Sequence, residues 1–313
     1  MSALKIENIR FESSWQNQPV AGFLFYDPDV APCAILQISH GMAEYILRYR
    51  NFAEYLVKHG YVICGNDHLG HGATSGSEYP DGFFSPKNGR YHLLKDLHTM
   101  NQVVRSRYPG LPLVLFGHSM GSFYARWFAE KYPNDLDAVV YCGTSGKNPA
   151  APAAVLLTKV IQAFYGPMHR SKLCYQAAFG AYLKKIPNPT SQNDWLSVNA
   201  QNVADYDNDP KCGFMFTVSA FGELTSILSH VNSDQWYKAV PKQLPVLVTA
   251  GMEDPVGNYG QGPTEVAELL RQNGVEQVQL KLYDGMRHEI LNEEDCAVVY
   301  ADILAWCNRV LKL

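Results

Sequence analysis

The sequence predicts an α/β fold, a mostly parallel and doubly wound sheet interrupted by one helical insertion. Three observations carry that prediction. Short apolar runs alternate with longer amphipathic ones along most of the chain. Most of the short runs are apolar without a break, as strands of a parallel sheet covered on both faces are. The alternation then stops between about residues 145 and 240, where helical fragments, prolines and aromatics replace it. A chain of 313 residues has room for one large α/β domain with an insertion, or for two domains.

Taken in order, "LKIENIRFESS" (4–14) and "VAGFLFYD" (20–27) alternate apolar with polar residues and predict an antiparallel hairpin at the sheet edge. "CAILQIS" (33–39) and "YVICGND" (61–67) read as covered strands. The helix "RNFAEYLVKHG" (50–60) lies between them and stops at Gly60. "LPLVLFG" (111–117) runs into the helix "SFYARWFAEKYP" (122–133), closed at Pro133, and "DAVVYCG" (137–143) follows as a strand. Beyond the insertion come the strand "LPVLVTAG" (244–251), the helix "PTEVAELLRQNG" (263–274) and the strand "VQLKLYDG" (278–285). The chain closes on a long helix within 293–313, acids first and bases last, which suits the helix dipole. Right-handed crossovers join such units. The expected organisation is a core from 1–144, a helical cap insertion from 145–240 and the rest of the core from 241–313.

Composition excludes several classes of function. A hydrophobic content of 47% with 18% charged residues is ordinary for a globular protein. A net charge of -4 leaves no electrostatic footprint for nucleic acid. No Lys/Arg cluster offers a membrane tether. The apolar run "NPAAPAAVLL" is broken by Pro149 and Pro152 and falls short of the roughly 20 residues that span a bilayer. Stable membrane insertion is therefore not expected, though transient contact with a lipid surface is compatible with the sequence. Lys5, Glu7, Arg10 and Glu12 occupy the stretch where a signal peptide needs an apolar core. Seven scattered cysteines without a CxxC pair indicate neither a zinc knuckle nor a redox pair, and a reducing cytoplasm is the expected setting.

In a parallel sheet, ligands bind outside the carboxyl ends of the strands, and four stretches at such ends carry reactive groups. In "GHSMG", Gly117 and Gly121 flank Ser119 between a strand and a helix, the context of a nucleophile elbow. Such a turn lifts Oγ clear of the backbone and aims the first helix N–H groups at a developing oxyanion. In "GMEDPVG", Asp254 stands in the turn after a strand, with Glu253 as the rival carboxylate; Asp-Pro places Asp254 at the turn itself. In "YDGMRHEIL", His288 follows the last strand. The order Ser119, Asp254, His288 is the one α/β-hydrolases use. In "QISHGMAEY", a His-Gly turn offers the Met42 N–H as an oxyanion donor beside that of Met120. His68 and His71 with Asp67 in "NDHLGHG" suggest a metal cluster, but no third and fourth ligand follow, and a buttressing loop is the expected role.

With these stretches assembled, the chain resembles the monoacylglycerol lipase and lysophospholipase branch of the α/β-hydrolases, grouped with the serine aminopeptidase hydrolases. "HGMAEY", "NDHLGHG", "FGHSMGS", "EDPVGNYG" and "RHEILNE" carry the resemblance over nearly the full length outside the insertion. It implies Ser119 as nucleophile, Asp254 and His288 as its partners, Met42 and Met120 as oxyanion donors, and a cap over an acyl-binding tunnel. Tyr45 stands where the family often has His, and "ILRY" replaces a small and polar pair. The expected chemistry is cleavage of an acyl ester with an apolar chain, a small-molecule substrate, with no metal or organic cofactor. Amide or peptide cleavage by the same triad, through an amine bound at Glu223, Asp205 or Asp207, stays open, as do short-chain ester cleavage and acyl transfer.

Overall fold

The computed structural model describes residues 4–313. Eight strands form one sheet in the order β1-β2-β4-β3-β5-β6-β7-β8. Strands β1 (Lys5–Glu12) and β2 (Pro19–Tyr26) pair antiparallel, and β2 pairs antiparallel with β4 (Tyr61–Asn66). From β4 onward, through β3 (Ala34–Ser39), β5 (Leu113–His118), β6 (Ala138–Cys142), β7 (Val246–Gly251) and β8 (Val278–Tyr283), every pair is parallel. The sequence-predicted strands all form, within two residues of their expected ends. One difference concerns the hairpin. Its second strand is buried from Val20 to Phe25, because it lies inside the sheet between β1 and β4 and its two faces pack into cores, Val20 and Leu24 on one side and Ala21, Phe23 and Phe25 on the other; only β1 lies at the margin.

The two faces of the sheet build separate cores. Leu113, Leu115, Val139, Val246 and Val248 point to one side, covered by α2 (Gly89–Arg107), α3 (Met120–Lys131) and, over β7, the helix Gln261–Gln272. Val114, Phe116, Val140 and Leu247 point to the other, under α1 (Arg50–Val57) and the C-terminal helix. This period-two alternation of uniformly apolar strands is what makes the sheet covered on both faces. The helix α2 has no counterpart in the sequence-based reading. Its buried face includes Asp96 and Asn101, which disrupt the apolar periodicity a helix is recognised by. Asp96 accepts from Ser13 Oγ at 2.6 Å, and Asn101 donates through Nδ2 to Gln37 Oε1 at 2.9 Å.

Between β6 and β7 lie α4 (Ala151–Tyr165), α5 (Lys172–Phe179), α6 (Ala200–Asn208), α7 (Val218–Val231) and α8 (Asp234–Ala239). Side chains of Ser171, Asn199, Thr217 and Ser233 cap the N-termini of the last four. The chain then completes the layers with α9 (Gln261–Gln272) and α10 (Cys296–Leu311). Among the described residues no helix is long and apolar enough to cross a membrane.

A buried arginine fastens the insertion to the core. Arg126 on α3 donates to Val231 O, to Ser145 O at 3.1 Å and to Asn232 Oδ1 at 3.0 Å, and it stacks on Trp236 with its guanidinium 4.3 Å from the ring centroid. Replacing it by Met would keep the volume but strand two carbonyls. Arg126→Met is expected to lose about 2–6 kcal/mol of stability, read from denaturant melts, since each stranded buried acceptor costs about 1–3 kcal/mol.

Candidate active site

Strand β5 ends at His118, and the chain reverses at Ser119 with φ 52° and ψ -121° before entering α3. A non-glycine residue in that region costs of order 1–3 kcal/mol and persists only where its surroundings enforce it. Here Ser119 N–H donates to Cys142 O at 2.9 Å, and Ser119 O accepts from Ser122 Oγ at 2.6 Å. Gly121 explains how the turn fits: a Cβ there would fall on Ser39 O at the end of β3. At Gly117 a Cβ would strike Gly121 O. The turn brings α3 against β3, with the Met120 N–H at the first helical position, where no intrahelical acceptor exists.

Asp254 and His288 come together as the sequence predicts. The fully buried Asp254 follows β7 and accepts from Val256 N–H at 2.8 Å through Oδ1. Its Oδ2 lies 2.9 Å from His288 Nδ1, so this ring nitrogen is the donor and Nε2 of the neutral ring keeps its lone pair. Gly143, at φ 59°, makes room: a Cβ there would sit 3.0 Å from His288 Cε1. Trp195 packs on the other side of the ring, centroids 5.2 Å apart.

Ser119, Met120, Met42 and His288 all line one cavity of about 520 Å³. Among the apolar residues of the insertion, Leu157, Phe179, Phe214 and Phe221 line it. Phe216 is buried in the core, whereas Leu156, Phe164 and Tyr165 face outward. The three acids considered for binding an amine do not reach it. Glu223 pairs with Arg90 Nη1 at 2.5 Å, Asp207 accepts from Ser191 Oγ at 2.6 Å, and Asp205 accepts from Gln201 Nε2 at 2.7 Å. Among the described residues the carboxylates that line the cavity are Glu44 and Glu289, and both are engaged.

That engagement is the part the sequence reading missed. Arg48 grips Glu289 with two bonds, 2.6 and 2.8 Å, and reaches Glu44 at 3.2 Å. Glu44 Oε1 accepts Gly41 N–H at 2.5 Å and Tyr49 OH at 2.8 Å, and it meets His118 Nδ1 at 3.1 Å. Burial alone would raise both acids, but His118 and Arg48 hold Glu44, and Arg48 and Asn202 hold Glu289, below the ordinary carboxylate range. Tyr45 OH donates to Asp209 Oδ2 at 2.6 Å, tying this segment to the insertion.

The histidines of "NDHLGHG" form a buried cluster with His40. His68 N–H donates to His40 Nε2 at 2.9 Å, which leaves His40 Nδ1–H to donate to Gly41 O at 2.8 Å. Burial pushes His68 down to about 3 and His71 to about 4, so both rings are neutral near pH 7. They buttress the Gly41–Met42 turn. Among the described residues no group of three or more His, Cys, Asp or Glu side chains is arranged to hold a metal ion.

This fold, with a strained serine between strand and helix and a His–Asp pair at the neighbouring strand ends, defines an α/β-hydrolase. Residues 30–295 match the family described as serine aminopeptidase, S33, and the chain belongs to that family. Within it the chain falls in the monoacylglycerol lipase-like branch. It is 25% identical over 292 residues to a monoacylglycerol lipase of Mycolicibacterium smegmatis, covering 90% of each chain. It is 25% identical to human monoglyceride lipase, covering 91% of this chain and 86% of the other. A highly thermostable carboxyl esterase from Bacillus coagulans, solved in complex with glycerol, superposes with a TM-score of 0.91 at 31% identity, covering 99% of this chain and all of its own.

Two outcomes follow from the geometry. Gly121→Ala is expected to destabilise the protein by about 1–3 kcal/mol through overpacking against β3, read from denaturant melts. Glu289, ionised in the fold below its unfolded value, adds stability above about pH 4.3 that is lost as pH falls through its folded value. Glu289→Gln is expected to lower stability by about 3–5 kcal/mol at neutral pH and to flatten the loss on acidification. Melts of both proteins across the acid range check this; parallel curves would count against it.

Proposed function

We propose that this carboxylic ester hydrolase cleaves esters with an apolar acyl chain, of the monoacylglycerol or lysophospholipid type, with Ser119 as nucleophile. The observation that carries the proposal is that Ser119 at its strained turn and the Asp254-bound His288 open on one cavity walled by Leu157, Phe179 and Phe221. His288 takes the Ser119 proton through Nε2, while Asp254 fixes the tautomer and stabilises the imidazolium. Attack on the ester carbonyl places negative charge on its oxygen, which the Met42 and Met120 N–H groups receive. The alcohol leaves with the proton from His288. Water activated by the same ring then attacks the acyl-Ser119 ester and releases the acid.

Residues 145–240 act in this reading as the cap that shapes the acyl site. An ester fits better than a peptide with a free amine, since Glu44 and Glu289 are neutralised by Arg48 and His118 and offer no open carboxylate. On α4, Leu156, Val160 and Phe164 recur every four residues and are exposed by 63%, 48% and 82%, an outward apolar stripe suited to touching a lipid surface. The similarity to the Bacillus coagulans carboxyl esterase favours, as a second reading, a carboxylesterase, for which we propose short acyl chains.

Ser119→Ala is expected to abolish turnover with the melting curve unchanged; near-wild-type activity would remove the serine from the mechanism. Asp254→Asn is expected to lower kcat on the order of 10⁴-fold. Initial rates on matched monoacylglycerols and p-nitrophenyl esters of increasing acyl length separate the two substrate readings: a long-chain optimum supports the first and a short-chain optimum the second. Leu156→Ser with Phe164→Ser is expected to slow hydrolysis of vesicle-borne monoacylglycerol while leaving a soluble short ester unaffected. Equal loss on both substrates would argue against a lipid-contact role.

A further inference from the structure

We infer that His118, the residue before Ser119, is a positioning residue: a doubly protonated imidazolium that clamps the backbone at His288 to the Gly41–Met42 turn. The inference rests on the reading of His288 as general base and of Met42 as an oxyanion donor.

His118 closes β5 and is 5% exposed. Its Nδ1 lies 3.1 Å from Glu44 Oε1 and its Nε2 lies 3.2 Å from His288 O. A carbonyl oxygen and an ionised carboxylate offer only lone pairs, so both ring nitrogens must carry hydrogen for both bonds to exist. Glu44 is the ionised partner. Its Oε1 already accepts Gly41 N–H and Tyr49 OH, and its Oε2 faces Arg48 Nη1 at 3.2 Å. A neutral His118 has one donor and would release either Glu44 or the His288 carbonyl.

The groups around the ring come from every element packed on it. Glu44, Arg48 and Tyr49 lie on the segment after β3, and Cys142 is its register partner on β6. His288 and Glu289 follow β8, with Asp254 behind His288. Burial opposes the charge, but Glu44, Glu289 and the His288 carbonyl outweigh it and raise the proton affinity above that of an ordinary histidine. The contrast with the neutral His40, His68 and His71 is chemical: those rings face backbone groups, hydroxyls and each other, not an ionised acid at bonding distance.

One carboxylate oxygen thus receives both His118 and the Gly41 amide that precedes Met42, while the other edge of His118 holds the backbone of the base. Because the two rings lie 4.7 Å apart, centroid to centroid, a shift of His118 moves His288 relative to the oxyanion turn. Misplacement of reacting groups by about 1 Å costs on the order of 10² in rate.

The test is a long-range ¹H–¹⁵N spectrum of the full chain labelled at histidine, at slightly alkaline pH. An imidazolium signal with both ring nitrogens protonated is expected in the wild type and in Ser119→Ala, and is expected to vanish in Glu44→Gln and His118→Gln. Glu44→Gln is further expected to lower kcat on the order of 10²-fold with KM little changed, the signature of a group acting on positioning and not on substrate binding. A wild-type spectrum without such a signal overturns the clamp even if His118→Gln does not fold, and so does wild-type kcat in Glu44→Gln. Turnover persisting in Ser119→Ala would instead strike the catalytic reading, while the spectrum would still report on His118.

Discussion

The contact between the start of α3 and the end of β3 governs most of what surrounds it. Gly121 lies against Ser39 O with no space for a side chain, and this proximity forces the reversal that holds Ser119 at positive φ. The same proximity places the start of α3 beside the turn at His40 and Gly41, so one packing constraint positions Ser119 and the two amides, of Met42 and Met120, proposed as oxyanion donors. Strain at a single residue is tolerable because it is over-determined: Cys142 O holds the Ser119 amide and Ser122 holds its carbonyl.

Buried charge supplies the second level of order. Glu44, Arg48, Glu289 and His118 are withdrawn from water, and each would be costly alone. Together they satisfy one another: Arg48 spans the two acids, and Asn202 on α6 adds a donor to Glu289 at 2.8 Å. The set therefore joins the Gly41–Met42 turn, the histidine loop and the insertion through bonds that are strong because the medium is poor in water. Its sum of formal charges, with His118 protonated, is zero. That balance makes a cluster of four ionised groups admissible beside an apolar cavity.

How much of this was legible in the sequence depended on whether the signal was local. The strands were legible because their apolar runs are unbroken, and Ser119 because glycine is required at two fixed offsets around it. Asp254 and His288 were legible from chain order, since each follows a strand end. Helix α2 was not, because Asp96 and Asn101 find partners on β3 and in the segment after β1 that only folding supplies. Glu44 and Glu289 lay inside stretches already singled out, yet their distance apart in sequence conceals that one arginine holds both. Trp195 carries no local signal that marks it, and its packing on His288 is a purely tertiary fact.

The bonds from the insertion to the core are unevenly distributed, and the distribution bears on what can vary. Around residues 194–202 the attachment to the histidine loop is dense. Arg287 Nη1 donates to Asp194 O at 2.6 Å and Ser197 O at 3.0 Å, Glu289 N–H donates to Leu196 O at 2.7 Å, and Glu293 accepts from Ser197 Oγ at 2.6 Å. Any change in that segment would be transmitted to His288 through its own neighbours. Helices α4 and α5 instead meet the cavity through apolar side chains such as Leu157 and Phe179, which can be exchanged at similar volume for little cost. On the proposed mechanism, substrate choice can therefore diverge on the α4–α5 side while the segment bearing Trp195 stays bound to His288 and its neighbours.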